Sequence, residues 1–168
     1  VLPLYIYPLQ NQSMERVAVF PGTFDPFTVG HEAVVRRALN IFDKIVIAVG
    51  KNVAKKTLFT IEQRMNMIGD VFANEPRIEV RSYEGLTVEF CNSIGVRFLI
   101  RGLRTSADFE YERAVGQVNR IMKPDLESVF LLTAPEHTPI NSTIVRDILV
   151  NKGDVSKFLP TGLDINKY

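Results

Sequence analysis

Residues 20–31 read Phe20-Pro21-Gly22-Thr23-Phe24-Asp25-Pro26-Phe27-Thr28-Val29-Gly30-His31, and this stretch decides how the chain begins to fold. It follows a short apolar run and precedes a segment whose apolar residues recur at helical spacing. We expect a strand that breaks at Pro21-Gly22 and a helix that opens at Gly30-His31. Such a turn predicts a phosphate-binding site, because the free backbone N–H groups of a helix start attract anions. The imidazole of His31 would donate to that anion.

The bulk composition is typical of a globular protein with a real core. The chain has 168 residues, of which 46% are hydrophobic and 23% are charged, and this length suits one domain. A formal net charge of +1 gives no support to a nucleic-acid partner, since such proteins usually carry a strongly basic face. The local basic clusters, Lys55-Lys56 and Arg101–Arg104, suit a small anionic ligand better than a polymer.

The cysteine content and the first residues bear on the cellular compartment. A single cysteine, Cys91, allows neither an internal disulfide nor a cysteine metal cluster, so we expect a buried thiol in a reducing cytoplasm. Residues 1–13 are uncharged, contain two prolines, and lack the pattern of a signal peptide or a membrane span. We interpret residues 1–13 as an added expression tail ahead of a single domain over residues 14–168, with no membrane partner.

Strand-like and helix-like segments alternate along the chain. The predicted strands are residues 16–20, 44–50, 77–82, 96–100 and 128–133, and the predicted helices are residues 32–42, 60–73, 86–94, 106–122 and 142–151. Alternation of this kind implies right-handed crossovers between parallel strands. The sequence therefore predicts a single-domain α/β fold, a Rossmann-like, doubly wound, parallel five-stranded sheet with helices on both faces.

Polar and charged residues gather after the predicted strands. They follow the first strand at Gly22–His31, the second at Gly50–Lys56, the fourth at Arg101–Arg104 and the fifth at Pro135–Arg146. Because the carboxyl ends of parallel strands share one edge of a sheet, these loops should converge on one ligand site. Their Thr, His, Lys and Arg side chains suit phosphate chemistry.

A second interpretation gives these same residues structural roles. Arg101 and Arg104 would then form surface ion pairs with Asp108 and Glu112. Ser142 and Thr143 would simply cap a helix, although a cap and an anion site use the same N–H groups.

Two levels of resemblance to known proteins can be read from these motifs. Thr28-Val29-Gly30-His31 resembles the (His/Thr)-x-Gly-His signature of the nucleotidylyltransferase superfamily. The block at residues 99–112, Leu-Ile-Arg-Gly-Leu-Arg-Thr-Ser-Ala-Asp-Phe-Glu-Tyr-Glu, is narrower and resembles the phosphopantetheine adenylyltransferases of coenzyme A biosynthesis. Residues 55–60, 126–131 and 153–160 resemble the same family.

The resemblance implies reversible transfer of the adenylyl group of ATP to 4′-phosphopantetheine, giving dephospho-coenzyme A and pyrophosphate. It implies His31 as the transition-state stabiliser, acting with Thr23, Lys55 and Arg101. The phosphopantetheine ligands would be Thr23, Lys55, Thr87 and Arg101. The ATP ligands would be Thr23, Phe24, His31, Gly102, Leu103, Arg104, Glu112, His137, Thr138, Pro139, Ile140, Asn141, Ser142 and Thr143.

The resemblance also implies Mg²⁺ bound mainly through the ATP phosphates, a homohexamer, and coenzyme A as a feedback inhibitor. No metal-binding residues of the protein can be assigned. Two positions depart from the family pattern. Asn141 stands where a serine is usual, and since Asn also caps helices we expect ATP binding to survive. Thr87 stands where Leu or Met is common, which affects the packing of the pantetheine arm.

The expected chemistry needs no general base. A phosphomonoester has a second pKa of about 6, so the attacking phosphate is mostly a dianion at neutral pH. Two alternatives stay open on sequence grounds. The chain could be another nucleotidylyltransferase of the same superfamily, or it could be a non-catalytic nucleotide-binding module on the same fold.

Overall fold

The computed structural model describes residues 15–51 and 56–168. Residues 1–14, with the interpreted expression tail, and residues 52–55, with Lys55, lie outside the described residues.

The described chain builds five strands and five α-helices in strict alternation. The strands are β1 (Val17–Gly22), β2 (Lys44–Lys51), β3 (Ile78–Glu84), β4 (Phe98–Leu103) and β5 (Glu127–Leu132). The helices are α1 (Val29–Ala38), α2 (Ile61–Val71), α3 (Thr87–Ser93), α4 (Ser106–Met122) and α5 (Ser142–Val150), with short 3-10 turns at Pro135–His137 and Ile165–Lys167. All strand pairs are parallel, in the order β3-β2-β1-β4-β5.

The sheet is covered on both faces, as the nearly continuous apolar run of β2 requires. On one face, Val35 of α1 and Ile68 of α2 pack with Ile45 and Ile47 of β2. On the other face, Cys91 of α3 packs with Val46 of β2. The predicted fold class, a doubly wound sheet with helices on both faces, is confirmed, and Cys91 is buried as expected.

The strand order reverses direction beside β1, which lies between β2 and β4. The crossovers that leave β1 and β4 therefore depart to opposite sides of the sheet. A crevice opens at the carboxyl ends of these two strands, where ligands of open α/β folds bind.

The first strand corrects the sequence prediction. β1 does not break at Pro21-Gly22 but runs through both residues, which pair with Ala48 and Val49 of β2. Pro21 is tolerated because β4 pairs with β1 only further back, at Ala18 and Val19, so its missing N–H interrupts no ladder there.

The bounds of α1 and β4 also differ from prediction. α1 begins at Val29, before Gly30-His31, and ends at Ala38, whereas the predicted helix continued to residue 42. β4 begins at Phe98 and extends to Leu103, whereas the predicted strand ended at residue 100, because pairing with β5 continues to Leu132. Arg101 therefore projects from a strand rather than from a loop.

None of the helices in the two described ranges is long and apolar enough to cross a membrane.

Candidate active site

A cavity of about 970 Å³ lies at the carboxyl edge of the sheet. It falls within the size range of ligand pockets. It is lined by residues in the last part of strands β1 to β4 and by residues that follow the five strands: Phe20, Pro21, Gly22, Thr23, Phe24, Thr28, Gly30, His31, Val34, Gly50, Lys51, Tyr83, Glu84, Gly85, Leu86, Arg101, Gly102, Arg104, Asp108, Glu112, Thr133, His137, Ile140, Asn141 and Ser142.

The turn after β1 combines an unusual backbone conformation with close packing of an aromatic ring. Phe24 adopts a positive φ of 50°, which is uncommon for a residue with a side chain. Its buried ring lies over Gly22, where an added Cβ would approach the ring to 2.6 Å. The same ring meets the imidazole of His31 edge-on, with centroids 5.1 Å apart. Because Gly22 has no side chain, the ring of Phe24 can pack over it and contact His31.

His31 is held in one tautomer by the start of α1. Thr28 is the N-cap, and its backbone N–H donates to Nδ1 of His31 at 3.0 Å. Burial, reinforced by the charges of Arg104 and Arg101, lowers the pKa of His31 to about 4. The ring is therefore neutral at physiological pH, and with Nδ1 accepting, its proton resides on Nε2. His31 is a neutral hydrogen-bond donor in the cavity wall.

Arg101 lies opposite, on β4, and is firmly oriented. Its Nε and Nη2 donate to the two carboxylate oxygens of Glu112 at 2.7 and 2.5 Å. Its Nη1 donates to the carbonyl of Pro21 at 3.0 Å. This hydrogen bond holds the side chain of Arg101 against β1, the central strand.

Arg104 makes a similar pair with Asp108 in the first turn of α4. Its Nε and Nη2 lie 3.0 and 3.2 Å from the carboxylate oxygens of Asp108. Burial would raise the pKa of Asp108, but hydrogen bonds from Arg104 outweigh it and leave that pKa lowered. Both ion pairs of the second interpretation are therefore present. The arginines and the acids cancel in charge, while each guanidinium keeps N–H groups for a ligand.

The third wall comes from the end of the chain. Asn141 caps α5 and its side chain accepts from the N–H of Ile144 at 3.0 Å, as expected for this departure from the family pattern. Ser142 Oγ donates to the carbonyl of Pro26 at 2.9 Å, and Arg146 donates to the carbonyl of Asp25 at 2.6 Å. The start of α5 is thus fastened to the turn after β1.

The structure brings most of the predicted site residues to this cavity. Those that line it are Thr23, Phe24, His31, Arg101, Gly102, Arg104, Glu112, His137, Ile140, Asn141 and Ser142. Leu103 lies in the core instead, at 6% exposure, and Thr87, Thr138, Pro139 and Thr143 are outside the lining. Thr87 nevertheless contacts a lining residue, since its hydroxyl lies 2.8 Å from that of Tyr83.

Sequence reasoning missed the wall formed by the end of β3. Tyr83, Glu84, Gly85 and Leu86 all line the cavity, and Leu86 is half exposed. The rule that located the other loops would have found this one, because β3 is parallel to β2 and ends at the same edge.

Comparison with known proteins places the chain in a family. Residues 19–148 match the family described as cytidylyltransferase-like. The chain is 47% identical over 151 residues to a phosphopantetheine adenylyltransferase of Bacteroides thetaiotaomicron, covering 90% of this chain and 99% of that one. It is 48% identical over 147 residues to a phosphopantetheine adenylyltransferase of Cytophaga hutchinsonii, covering 88% of this chain and 98% of that one.

A more distant likeness appears among solved structures. A bifunctional NMN adenylyltransferase/ADP ribose pyrophosphatase from Francisella tularensis superposes with a TM-score of 0.67 at 16% identity. The match covers 88% of this chain and 46% of that one, so this chain spans less than half of the bifunctional protein. At that identity the likeness shows a shared fold.

Proposed function

The chain belongs to the cytidylyltransferase-like family and, within it, to the phosphopantetheine adenylyltransferases, and on that premise we propose that it transfers the adenylyl group of ATP to 4′-phosphopantetheine. The products are dephospho-coenzyme A and pyrophosphate. The observation that carries the proposal is one cavity in which a neutral His31 donor and the guanidinium groups of Arg101 and Arg104 face the same space.

The reaction is a displacement at phosphorus. A phosphate oxygen of 4′-phosphopantetheine forms a bond to the α-phosphorus of ATP, and the bond from that phosphorus to the bridging oxygen breaks. The bonding pair leaves with pyrophosphate, so charge and atoms balance without proton transfer. The acceptor phosphate is mostly a dianion at neutral pH, with a second pKa of about 6. The protein must therefore supply position and electrostatic stabilisation rather than a base.

His31 is suited to the α-phosphate. Its Nε2–H is a fixed donor, because Thr28 and the ring of Phe24 hold the imidazole in place. A donor that is already oriented stabilises charge that develops in the transition state without reorganisation. Because the ring is neutral, it does so without binding the ground-state phosphates as strongly as a cation would.

Arg101 and Arg104 are suited to the phosphates on either side. We assign Arg101 to the acceptor phosphate, together with Thr23 and Lys55, and Arg104 to ATP. Glu112 and Asp108 orient the two guanidinium groups before substrate arrives. We also assign to ATP the lining residues Phe24, Gly102, Glu112, Asn141 and Ser142 and the turn at His137. Thr87, whose hydroxyl contacts that of Tyr83, would border the pantetheine arm.

Mg²⁺ is proposed to arrive with ATP. Within the described ranges there is no group of three or more His, Cys, Asp or Glu side chains that could hold a metal ion, and the acids of the cavity are engaged by arginines. An ion held by phosphate oxygens and water fits this donor set and would neutralise the charge of the leaving group.

We propose that the protein assembles as a homohexamer. α4 has no buried residues in the described chain, although Tyr111, Val118 and Ile121 are apolar and 54–80% exposed. A patch of this kind on a soluble fold marks an interaction surface. Sedimentation velocity should give one hexamer peak, and Ile121→Lys should shift it to smaller species.

Two further expectations follow from the proposed reaction. Coenzyme A would compete with the substrates for the same cavity, because it shares most of its structure with the product, dephospho-coenzyme A. We also infer that the enzyme works in the cytoplasm, where a reduced and buried Cys91 is stable.

A pyrophosphate-release assay tests the function. We expect turnover with ATP and 4′-phosphopantetheine, and little with CTP or with nicotinamide mononucleotide as the acceptor. Turnover with another pair alone would assign a different nucleotidylyltransferase activity. Binding of ATP without turnover on any acceptor would contradict catalysis altogether.

A further inference from the structure

Three polar residues are buried in the described part of the chain, and all three serve the turn after β1. They are Asp25, Thr28 and Arg64, at 1%, 1% and 3% exposure. Thr28 caps α1 and orients His31. The other two bind backbone groups of segments that are distant in sequence. Burying a charge is costly unless its hydrogen bonds are satisfied, so these groups need a structural or functional explanation.

Arg64 stands on the first turn of α2 and binds four backbone carbonyls. Its Nη1 donates to the carbonyl of Thr23 at 2.6 Å and to that of Gly50 at 3.4 Å. Its Nε lies 3.2 and 3.3 Å from the carbonyls of Phe59 and Thr60. One side chain thus joins the turn after β1, the end of β2 and the start of α2.

Asp25 completes the arrangement from the other side. Its carboxylate oxygens accept from the N–H groups of Leu58 and Phe59, both at 2.9 Å. The charge of Asp25 is paired with Arg146 at 3.6 Å, whereas the charge of Arg64 is met by carbonyls. A guanidinium that donates to carbonyls of several segments holds those segments together, because its N–H groups have a fixed, planar arrangement that a lysine cannot reproduce.

We propose that Arg64 is a positioning residue for the acceptor phosphate: it holds the backbone of Thr23 against the end of β2 at Gly50 and against the start of α2. The inference rests on the proposed function, which assigns Thr23 to that phosphate. Arg64 is absent from the cavity lining, so it acts through other residues. Its loss should misplace the acceptor more than ATP.

The test compares Arg64→Met with Met67→Ala. Both changes are on α2 and both remove buried contacts, but Met67 lies in the core and outside the cavity lining. In steady-state assays on protein shown by circular dichroism to be folded, Arg64→Met should raise the KM for 4′-phosphopantetheine about tenfold or more. Its KM for ATP should change less than about threefold, and Met67→Ala should change neither. Equal effects of the two variants on both KM values would overturn the proposal.

Hydrogen exchange separates this proposal from the proposed function. The amides of Leu58 and Phe59 should exchange faster in Arg64→Met than in Met67→Ala, even if the wild type shows no pyrophosphate release. Equal exchange in the two variants would overturn the positioning role. Should Arg64→Met fail to fold, Arg64→Lys takes its place in both measurements. Arg64→Lys should raise the KM for 4′-phosphopantetheine by a smaller factor. If neither this KM nor the amide exchange changed, the positioning role of Arg64 would be overturned.

Discussion

The two sides of the cavity differ in the hydrogen-bond donors that they present to the space between them. On the side of β1 and α1, His31 is neutral, supported by the Phe24 ring and fixed by a backbone N–H. On the side of β4 and α4, Arg101 and Arg104 are charged, their side chains are 32% and 36% exposed, and each is oriented by an acid. The first side offers a rigid donor without charge, and the second offers charge that is balanced until substrate binds.

We therefore expect the two sides of the cavity to serve different parts of the proposed reaction. A neutral, oriented donor contributes most where charge develops, and so it should affect turnover. A charged fork gains interaction with any phosphate, bound or reacting, and so it should affect substrate affinity. Kinetic analysis of variants on each side can separate these contributions.

His31→Ala should have the largest effect. We expect kcat to fall roughly 10²- to 10³-fold, as for other transition-state donors, with a much smaller change in the KM for ATP. His137→Ala is the matched control, because the second histidine lines the cavity from a 3-10 turn. It should raise the KM for ATP and leave kcat within a few-fold. A His31→Ala enzyme with near wild-type kcat would remove the distinction between the two sides.

Arg101→Ala should act mainly on the acceptor. Hydrogen bonds to charged groups contribute about 1.5–3 kcal/mol, so the KM for 4′-phosphopantetheine should rise roughly 10- to 100-fold. Arg104→Ala, on the same wall, should instead raise the KM for ATP. Steady-state kinetics with each substrate varied in turn checks both. If Arg101→Ala left the acceptor KM unchanged, the assignment of this side to affinity would be wrong.

Acid should destabilise the protein through His31. Its pKa is about 4 when folded and about 6.5 when unfolded, so the unfolded state binds more protons between these values. Stability therefore falls as pH drops below about 6.5, by about 2 kcal/mol from pH 8 to pH 5. Urea unfolding at both pH values should show His31→Gln losing less stability by that amount. An equal loss in the two proteins would mean that His31 titrates normally.

Gly22→Ala should have the smallest effect on the first side. The new Cβ would lie 2.6 Å from the ring of Phe24, so that ring must shift and loosen its contact with His31. We expect a loss of about 1–2 kcal/mol in the free energy of unfolding, with reduced kcat. Gly69→Ala is the control, since nothing lies within 4 Å of its added Cβ in α2. It should stabilise by about 0.5–1 kcal/mol.

Much of the fold could be predicted because local patterns of apolar residues in the sequence indicate its strands and helices. The apolar run of β2 gave a central parallel strand, and Ser106–Met122 was predicted with its observed bounds. The limits of β1 and β4 were missed because strand pairing, a long-range property, set them. Pro21 and Arg101 look like the ends of strands in sequence, yet their neighbours in the sheet keep them extended.

The site was predictable in outline but not in its electrostatics. Residues that follow strands could be assigned to one edge from topology alone, and His31, Arg101 and Arg104 meet there. The low pKa of His31 depends on the burial created by tertiary packing, which no motif records. Arg64 was missed because a charged residue on a helix suggests a solvated face, whereas its partners are backbone carbonyls from three segments.

The fastening of α5 to the first turn has a consequence for protein synthesis. Ser142 and Arg146 donate hydrogen bonds to the carbonyls of Pro26 and Asp25, residues that are synthesised 116 and 121 positions earlier. β1 must likewise wait for β4 before it acquires its second neighbour. The motif at residues 20–31 is therefore synthesised long before the cavity for a nucleotide can form. Contacts between residues so far apart in sequence form slowly, and apolar strands stay exposed in the meantime. Stalled or truncated products should consequently aggregate rather than bind ATP.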